Sequence, residues 1–254
     1  MEKINVIKVG GAVVEDQQQL SLLLKEFSAI EGRKVLVHGG GRRATKVASQ
    51  LGIETQMVDG RRITDKAMLE VVTMVYGGLV NKNVVAQLQA EGINALGLTG
   101  ADINVIRSHK RPLKNGIDYG FVGDVDHADG NMLKTLIEAG IVPVMAPLTH
   151  DGKGNMLNTN ADTIASETAK ALAPYYDVTL TFCFEKKGVL ANPDDDDSVI
   201  PVITPQLFRK YVADGTISGG MMPKIENSLA ALNAGVKQVV ITKADTLGSQ
   251  PGTK

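Results

Sequence analysis

Ile4-Asn5-Val6-Ile7-Lys8-Val9-Gly10-Gly11 and Lys34-Val35-Leu36-Val37-His38-Gly39-Gly40-Gly41 are the two stretches on which the fold of this chain turns. Each is a short apolar run, rich in Val and Ile, that stops at glycines, the pattern of a strand buried on both faces. Four further runs have the same character: Ile93 to Thr99, Ile141 to Ala146, Val178 to Phe184 and Lys237 to Thr242. Helical patterns lie between them. After Asp16, apolar residues recur at Leu20, Leu23, Leu24, Phe27 and Ile30, so Asp16 is expected to cap a helix that Gly32 ends. Strands alternating with helices of this length build βαβ units, hence an α/β fold with a mainly parallel sheet covered by helices on both faces.

Two places break the alternation. Glycines interrupt extended segments from Asn104 to Val125, and Asp151-Gly152-Lys153-Gly154 reads as a turn between Thr149 and Leu157. Both predict antiparallel hairpins at the edge of the sheet or over its rim. The helical stretch from Thr64 to Gly92 carries Gly77-Gly78 in its middle, at a cost of about 2 kcal/mol relative to alanine. A kink or a close helix contact between subunits would explain it. The acidic run Asp194 to Asp197 reads as a solvated loop, because nothing in the sequence pairs with it.

Composition narrows the function. At 254 residues the chain can bury a full core. Lys and Arg number 27 against 28 Asp and Glu, a net charge of -1, which is no footprint for nucleic acid or an anionic membrane. No apolar run approaches the roughly 18 residues of a membrane span. The single Cys183 lies in the apolar run VTLTFCF, as a core residue of a reducing compartment would. The first strand begins almost at once, without a leader-like segment. These features predict a cytoplasmic protein acting on a small molecule.

The glycine turns fall at carboxyl ends of parallel strands, where ligands bind in open α/β sheets and where glycine lets backbone amides approach phosphate oxygens beside a helix N-terminus. Gly39, Gly41 and Ala44 also fit the alanine form of the dinucleotide fingerprint, with Asp59 20 residues after Gly39. That motif needs no lysine on a neighbouring strand, however, and here Lys8 precedes a second glycine pair. No G-x-x-x-x-G-K-[ST] loop and no G-x-S-x-G elbow occur. Lys224 falls in the first turn of a helix expected to start at Pro223, after Gly219-Gly220-Met221-Met222. Its charge opposes the helix dipole unless an anion sits nearby. In Leu157-Asn158-Thr159-Asn160-Ala161-Asp162, period-two spacing puts Asn158, Asn160 and Asp162 on one face, and capping of the following helix would account for one of them.

Taken jointly, Lys8 with Gly10-Gly11, His38 to Gly41, Asp59 to Thr64, Asn81-Lys82, Gly120 to Gly123, Asn158 to Asp162 and Gly219 to Lys224 resemble, in order and spacing, the amino acid kinase family over essentially the whole chain. Within it the resemblance is to the branch that phosphorylates N-acetyl-L-glutamate in the second step of arginine biosynthesis. It implies a three-layer αβα sandwich, with an acyl-glutamate lobe at 1–172 and a nucleotide lobe at 173–254. It implies ATP as donor with Mg²⁺ carried by the nucleotide. Lys8, Lys224 and Asp162 would be catalytic, the lysines on the phosphates and Asp162 holding both in place. Arg62 and Asn158, with Gly40 and Gly41, would bind the acceptor, and Gly10, Gly11, Gly39 and Gly220 the phosphates. No metal-binding residue of the protein is implied.

One stretch departs from the pattern: Phe184-Glu185-Lys186-Lys187-Gly188 stands where the family usually has Ser or Thr followed by Asp. The chain also begins at its first strand, without the N-terminal helix of arginine-inhibited members, which implies a homodimer insensitive to arginine. N-succinyl-L-glutamate, other family substrates, and a non-catalytic nucleotide-binding regulator on the same fold are the competing readings.

Overall fold

A computed structural model describes residues 1–58, 60–217, 221–244, 247 and 252–254 of the chain. All six apolar runs become strands of one sheet: β1 (Lys3–Val9), β2 (Arg33–His38), β5 (Ala95–Leu98), β8 (Val142–Met145), β11 (Asp177–Phe184) and β12 (Gln238–Lys243). The order is β12-β11-β1-β2-β8-β5, and every pairing among them is parallel. β1 lies between β11 and β2, with Lys8 opposite Phe182 on one side and Val37 on the other. The carboxyl ends of these three central strands therefore finish level.

Helices cover both faces, and strand alternation decides which residue meets which layer. Ile4, Val6, Val35, Val37, Val178, Leu180 and Phe182 pack with α6 (Gly130–Glu138), α7 (Ala161–Leu172), α8 (Pro205–Ala213) and α9 (Met221–Asn233). Ile7, Val9, Leu36, Val144 and Cys183 face the opposite layer, made of α1 (Gly11–Glu15), α2 (Gln17–Ala29) and α5 (Asn81–Ala90). Burial pushes the Cys183 thiol up to about 12, in keeping with a core residue. The Asp16 carboxylate accepts from the amides of Gln18 and Gln19, each at 3.0 Å, as the capping pattern predicts. The other end of α2 is closed from the sheet. Buried Lys34 donates to the carbonyls of Phe27, Ser28 and Ile30 at 2.8 to 3.0 Å, placing a cation on the negative end of the helix dipole.

The two interruptions are antiparallel hairpins, but they join each other rather than the main sheet. β6 (Ile106–Lys110) with β7 (Gly123–Ala128), and β9 (Leu148–His150) with β10 (Met156–Asn158), form a separate sheet in the order β10-β9-β6-β7. A shorter ribbon pairs β3 (Met57–Val58) with β4 (Arg61–Arg62). This ribbon and the second sheet close over α3 (Gly41–Gln50) and α4 (Lys66–Val72), around a smaller core that includes Ala44, Met68, Tyr76 and Leu148.

The Gly77-Gly78 pair lies in a π-helical segment, Thr73–Val80, that joins α4 to α5 without a break. A Cβ on Gly77 would meet Leu148 Cδ1 at 3.4 Å, an ordinary contact distance, and one on Gly78 would meet nothing within 4 Å. Two sequence-based expectations need correction. The acidic run is not unpartnered: Lys186 binds Asp196 at 2.7 Å and Lys187 binds Asp197 at 2.5 Å, ten residues across a loop that local pattern cannot pair. The last helix begins at Met221, two residues before the expected start at Pro223.

Gly130 at the head of α6 is where α7 approaches most closely: a Cβ there would fall 1.9 Å from the Ala171 carbonyl oxygen. Gly130→Ala should therefore destabilise the chain by about 1–3 kcal/mol through overpacking, read as a lower urea midpoint with unchanged slope. An unmoved midpoint would mean that the two helices have room to separate.

Candidate active site

The two glycine turns sit side by side at the ends of β1 and β2. A Cβ on Gly39 would lie 3.0 Å from the Gly11 amide nitrogen, and one on Gly11 would lie 3.5 Å from the amide nitrogens of both Gly40 and Gly41. A side chain at Gly39 would press the turns apart, whereas one at Gly11 would meet its neighbours at ordinary contact distance. The amides divide into two groups. Gly10 and Gly39 extend the parallel ladder, donating to the carbonyls of Cys183 and Val9 at 3.0 Å each. That leaves Gly11, Gly40 and Gly41, whose amides have no backbone acceptor among the described residues outside regular ladders. Gly41 opens α3, so donors and dipole point the same way.

Next to the turns, three charges meet. Lys8, on the β1 face that looks toward α7, binds Asp162 Oδ1 at 2.7 Å, and Lys224 from α9 binds Oδ2 at 2.8 Å. Both lysines are 9% exposed. Lys224 also lies 4.9 Å from the Phe182 ring centroid, a cation–π contact. Burial alone would raise the Asp162 pKa, but the two ammonium groups outweigh it and hold the carboxyl well below the usual carboxylate range. Burial lowers the Lys224 pKa and Asp162 opposes that shift. One carboxylate thus divides its two oxygens between two cations, and one positive charge is left over at the site.

A cleft of about 390 Å³ opens beside this trio. Gly10, Asn160 and Ala161, chain neighbours of Lys8 and Asp162, form part of its wall, and Arg62 and Asn158 line it as well, Arg62 bound directly to the second glycine turn. Asn160 spends its side chain capping α7, accepting from the amides of Asp162 and Thr163 at 2.8 and 3.2 Å. It is the one of the three polar residues that capping explains. Asn158 is held at the end of β10 by a 2.8 Å bond from its amide to the Phe121 carbonyl, and its Nδ2 donates to Thr64 Oγ1 at 2.9 Å. Arg62 is 7% exposed, and its guanidinium donates to Thr55, Thr45 and the Gly41 carbonyl at 2.9 to 3.1 Å. The ribbon β3-β4 and the hairpin β9-β10 thereby present two fixed polar groups to one space.

Some of the site escaped the sequence. Tyr76 packs against the second glycine turn, where a Cβ on Gly40 would come within 2.8 Å of its ring; its only signal is a place in a long helical pattern. Arg42 and Glu185 meet at 3.0 Å between α3 and the end of β11, and both border the cleft. Thr64 belongs to the Asp59-to-Thr64 motif, although its bond to Asn158 cannot be read from that motif. Gly220, Gly219 and Asp59 lie outside the described residues. No group of three or more metal-ligating side chains occurs among the described residues.

The family model described as "Amino acid kinase family" matches residues 3–243. A curated protein of Phocaeicola vulgatus named "Acetylglutamate kinase" is 68% identical over 252 residues, covering 99% of this chain and 98% of that protein. Its namesake in Bacteroides thetaiotaomicron is 68% identical over 253 residues, covering 100% and 98%. Among solved structures, Streptococcus mutans smu.665 superposes with a TM-score of 0.80 at 31% identity, covering 98% of this chain and 97% of that one.

Removing Asp162 would strand two buried ammonium groups. Asp162→Ala should cost about 3–5 kcal/mol at pH 7, measured by urea unfolding. Because the folded pKa lies below the unfolded value of about 3.9, the stabilisation is complete above about pH 4 and is lost as the pH falls through the folded value. The gap between wild type and variant should accordingly narrow in acid; a gap constant down to about pH 2 would contradict this ionisation.

Proposed function

Because the chain belongs to the amino acid kinase family, we propose that it transfers the γ-phosphoryl group of ATP to the side-chain carboxylate of N-acetyl-L-glutamate, giving N-acetyl-L-glutamyl 5-phosphate in the second step of arginine biosynthesis. The observation that carries the assignment is the Lys8–Asp162–Lys224 bridge beside free glycine amides and a cleft walled by Arg62 and Asn158.

The acceptor carboxylate, with an ordinary pKa of about 4.3, is ionised at neutral pH and needs no general base. Its oxygen attacks the γ-phosphorus, the bond from that phosphorus to the β,γ-bridging oxygen breaks, and ADP leaves with the electron pair. Catalysis then reduces to placing the reactants and stabilising charge on the equatorial phosphoryl oxygens. Lys8 and Lys224 supply cations on that side, with Asp162 as organiser rather than base. The amides of Gly11, Gly40 and Gly41 supply donors along the line of transfer. Arg62 and Asn158 grip the α-carboxylate, which turns the side-chain carboxylate toward the turns.

In this assignment residues 1–172 hold the acceptor and 173–254 the nucleotide, with the site over the seam between β1 and β11. Mg²⁺ would be carried by the ATP phosphates and would neutralise part of their charge. Both Asp162 oxygens are committed to lysines, so the carboxylate at the centre of the site offers the ion no free ligand. A cytoplasmic enzyme fits the buried free thiol of Cys183 and the fact that no described helix is long and apolar enough to cross a membrane. A homodimer fits exposed Met74 and Leu79, which flank the open flank of Gly78 on the π-helical segment.

A second acceptor, N-succinyl-L-glutamate, is favoured by Arg61. It borders the same cleft and forms no ion pair among the described residues, so an acyl chain ending in a carboxylate could meet it. Steady-state rates with N-acetyl-, N-succinyl- and free L-glutamate separate the possibilities. Free glutamate should fall about a hundredfold or more in kcat/KM; comparable activity would sink an N-acylated acceptor. Arg61→Gln should weaken only the succinyl substrate, by about tenfold, equivalent to 1.4 kcal/mol. Lys8→Ala and Lys224→Ala should each lower kcat by about 10²–10³, and wild-type turnover in either variant would remove that lysine from the mechanism.

A further inference from the structure

We infer that the buried pair His38 and Asn81 aims the Gly40 amide into the cleft, which makes both of them positioning residues for phosphoryl transfer. The identity of the reacting group rests on the function proposed above; the geometry does not.

His38 ends β2 with no exposed surface. Its Nδ1 lies 2.8 Å from the Gly39 carbonyl oxygen and its Nε2 lies 3.1 Å from Asn81 Nδ2. The tautomer follows from the partners. A carbonyl can only accept, so Nδ1 carries the proton and Nε2 accepts. The orientation of the Asn81 amide is fixed in turn by its other contacts. Nδ2 donates to the Val144 carbonyl at 2.9 Å, and Oδ1 accepts from Lys82 Nζ at 3.1 Å, itself bound to the Gly97 carbonyl at 3.0 Å. A flipped amide would set oxygen against carbonyl and nitrogen against ammonium. Burial pulls the His38 pKa down to about 4, opposed by the bond to Gly39 and assisted by Lys82, so the ring is neutral at working pH.

The consequence runs through one peptide plane. In a trans peptide the carbonyl and the following N–H point in opposite directions, and the chain has no cis bond among the described residues. With the Gly39 oxygen turned inward onto imidazole, the Gly40 N–H points away from it, on the side where Gly40 borders the cleft. A run of three glycines has little steric reason to keep that plane. The hydrogen bond from His38 supplies the missing restraint, and Asn81 keeps the proton on the nitrogen that makes it. Asn81 follows directly on the π-helical segment, whose wider turns shift the residues that reach the interior. Gly97 leaves the space for it, because a Cβ there would fall 1.8 Å from Asn81 Oδ1.

The test combines two substitutions of His38 with a spectrum of the unaltered enzyme. In His38→Leu the donor is lost; in His38→Asn an amide nitrogen can occupy the place of Nδ1. With hydroxamate formation from ATP and N-acetylglutamate as assay, His38→Leu should lower kcat by about a hundredfold with little change in KM for ATP. His38→Asn should recover to within about tenfold of wild type. The ¹⁵N spectrum of histidine-labelled wild type should show His38 protonated on Nδ1 alone between about pH 6 and pH 8. A folded His38→Leu enzyme with wild-type kcat, equal losses in the two variants, or a proton on Nε2 would each overturn the inference. If His38→Leu does not fold, the spectrum and Asn81→Ala decide, the latter with an expected loss of about tenfold in kcat. Wild-type enzyme inactive on every N-acylated glutamate would sink the proposed function alone, and the tautomer would still be read from the spectrum.

Discussion

Lys8, Asp162 and Lys224 come from the first strand, the seventh helix and the ninth, and they meet as one carboxylate between two ammonium groups. A buried charge is costly unless paired, and removing either kind of partner would leave the other exposed to a low dielectric. The sheet face that carries Lys8 must therefore stay registered against both helices. The leftover positive charge makes the adjacent space a place for an anion. In the proposed mechanism structural and chemical roles coincide in these three side chains, which would place functional groups deep in the packing.

The glycine turns depend on this arrangement and answer a different constraint. Parallel strands of level length bring two backbone turns into contact, and a Cβ on Gly39 would press on the neighbouring turn. Two of the amides are consumed by the ladder itself, so the same hydrogen bonds that end the sheet leave the remaining donors pointing outward. His38 adds a third bond from below. The cleft is then walled by groups that have few ways to move, which is what electrostatic stabilisation of a transition state requires.

The second sheet explains how the opposite wall is made. Its strands carry few residues of the main core, yet Thr64 to Phe121 and Phe121 to Asn158 backbone bonds tie it to the ribbon that bears Arg62. Rigid backbone pairing, rather than a flexible loop, holds Arg62 and Asn158 at the cleft. The exposed pairs Arg42–Glu185, Lys186–Asp196 and Lys187–Asp197 are of another kind. Solvent screens them and leaves them little stabilising effect, so they shape the rim without supporting the fold.

How much could be read in advance follows from the range of each interaction. Strand runs, the Asp16 cap, the glycine turns and the two-sided parallel sheet are set by residues a few positions apart, and the chain's own periodicity encodes them. Lys8, Asp162 and Lys224 stood out as chemistry-bearing residues for the same reason, and the polar run at 158–162 announced a cap without saying that Asn160 supplies it. Their convergence came only from the family resemblance: 154 residues separate Lys8 from Asp162 and 62 separate Asp162 from Lys224, and no local pattern records a distance between helices. The joining of two hairpins into one sheet, the lysine partners of the acidic run, Tyr76 against Gly40 and the imidazole beneath Gly39 were likewise decided by tertiary packing. Sequence by itself determined which elements exist and which atoms can do chemistry; burial and long-range register determined which of those atoms meet, since both depend on every layer of the sandwich at once.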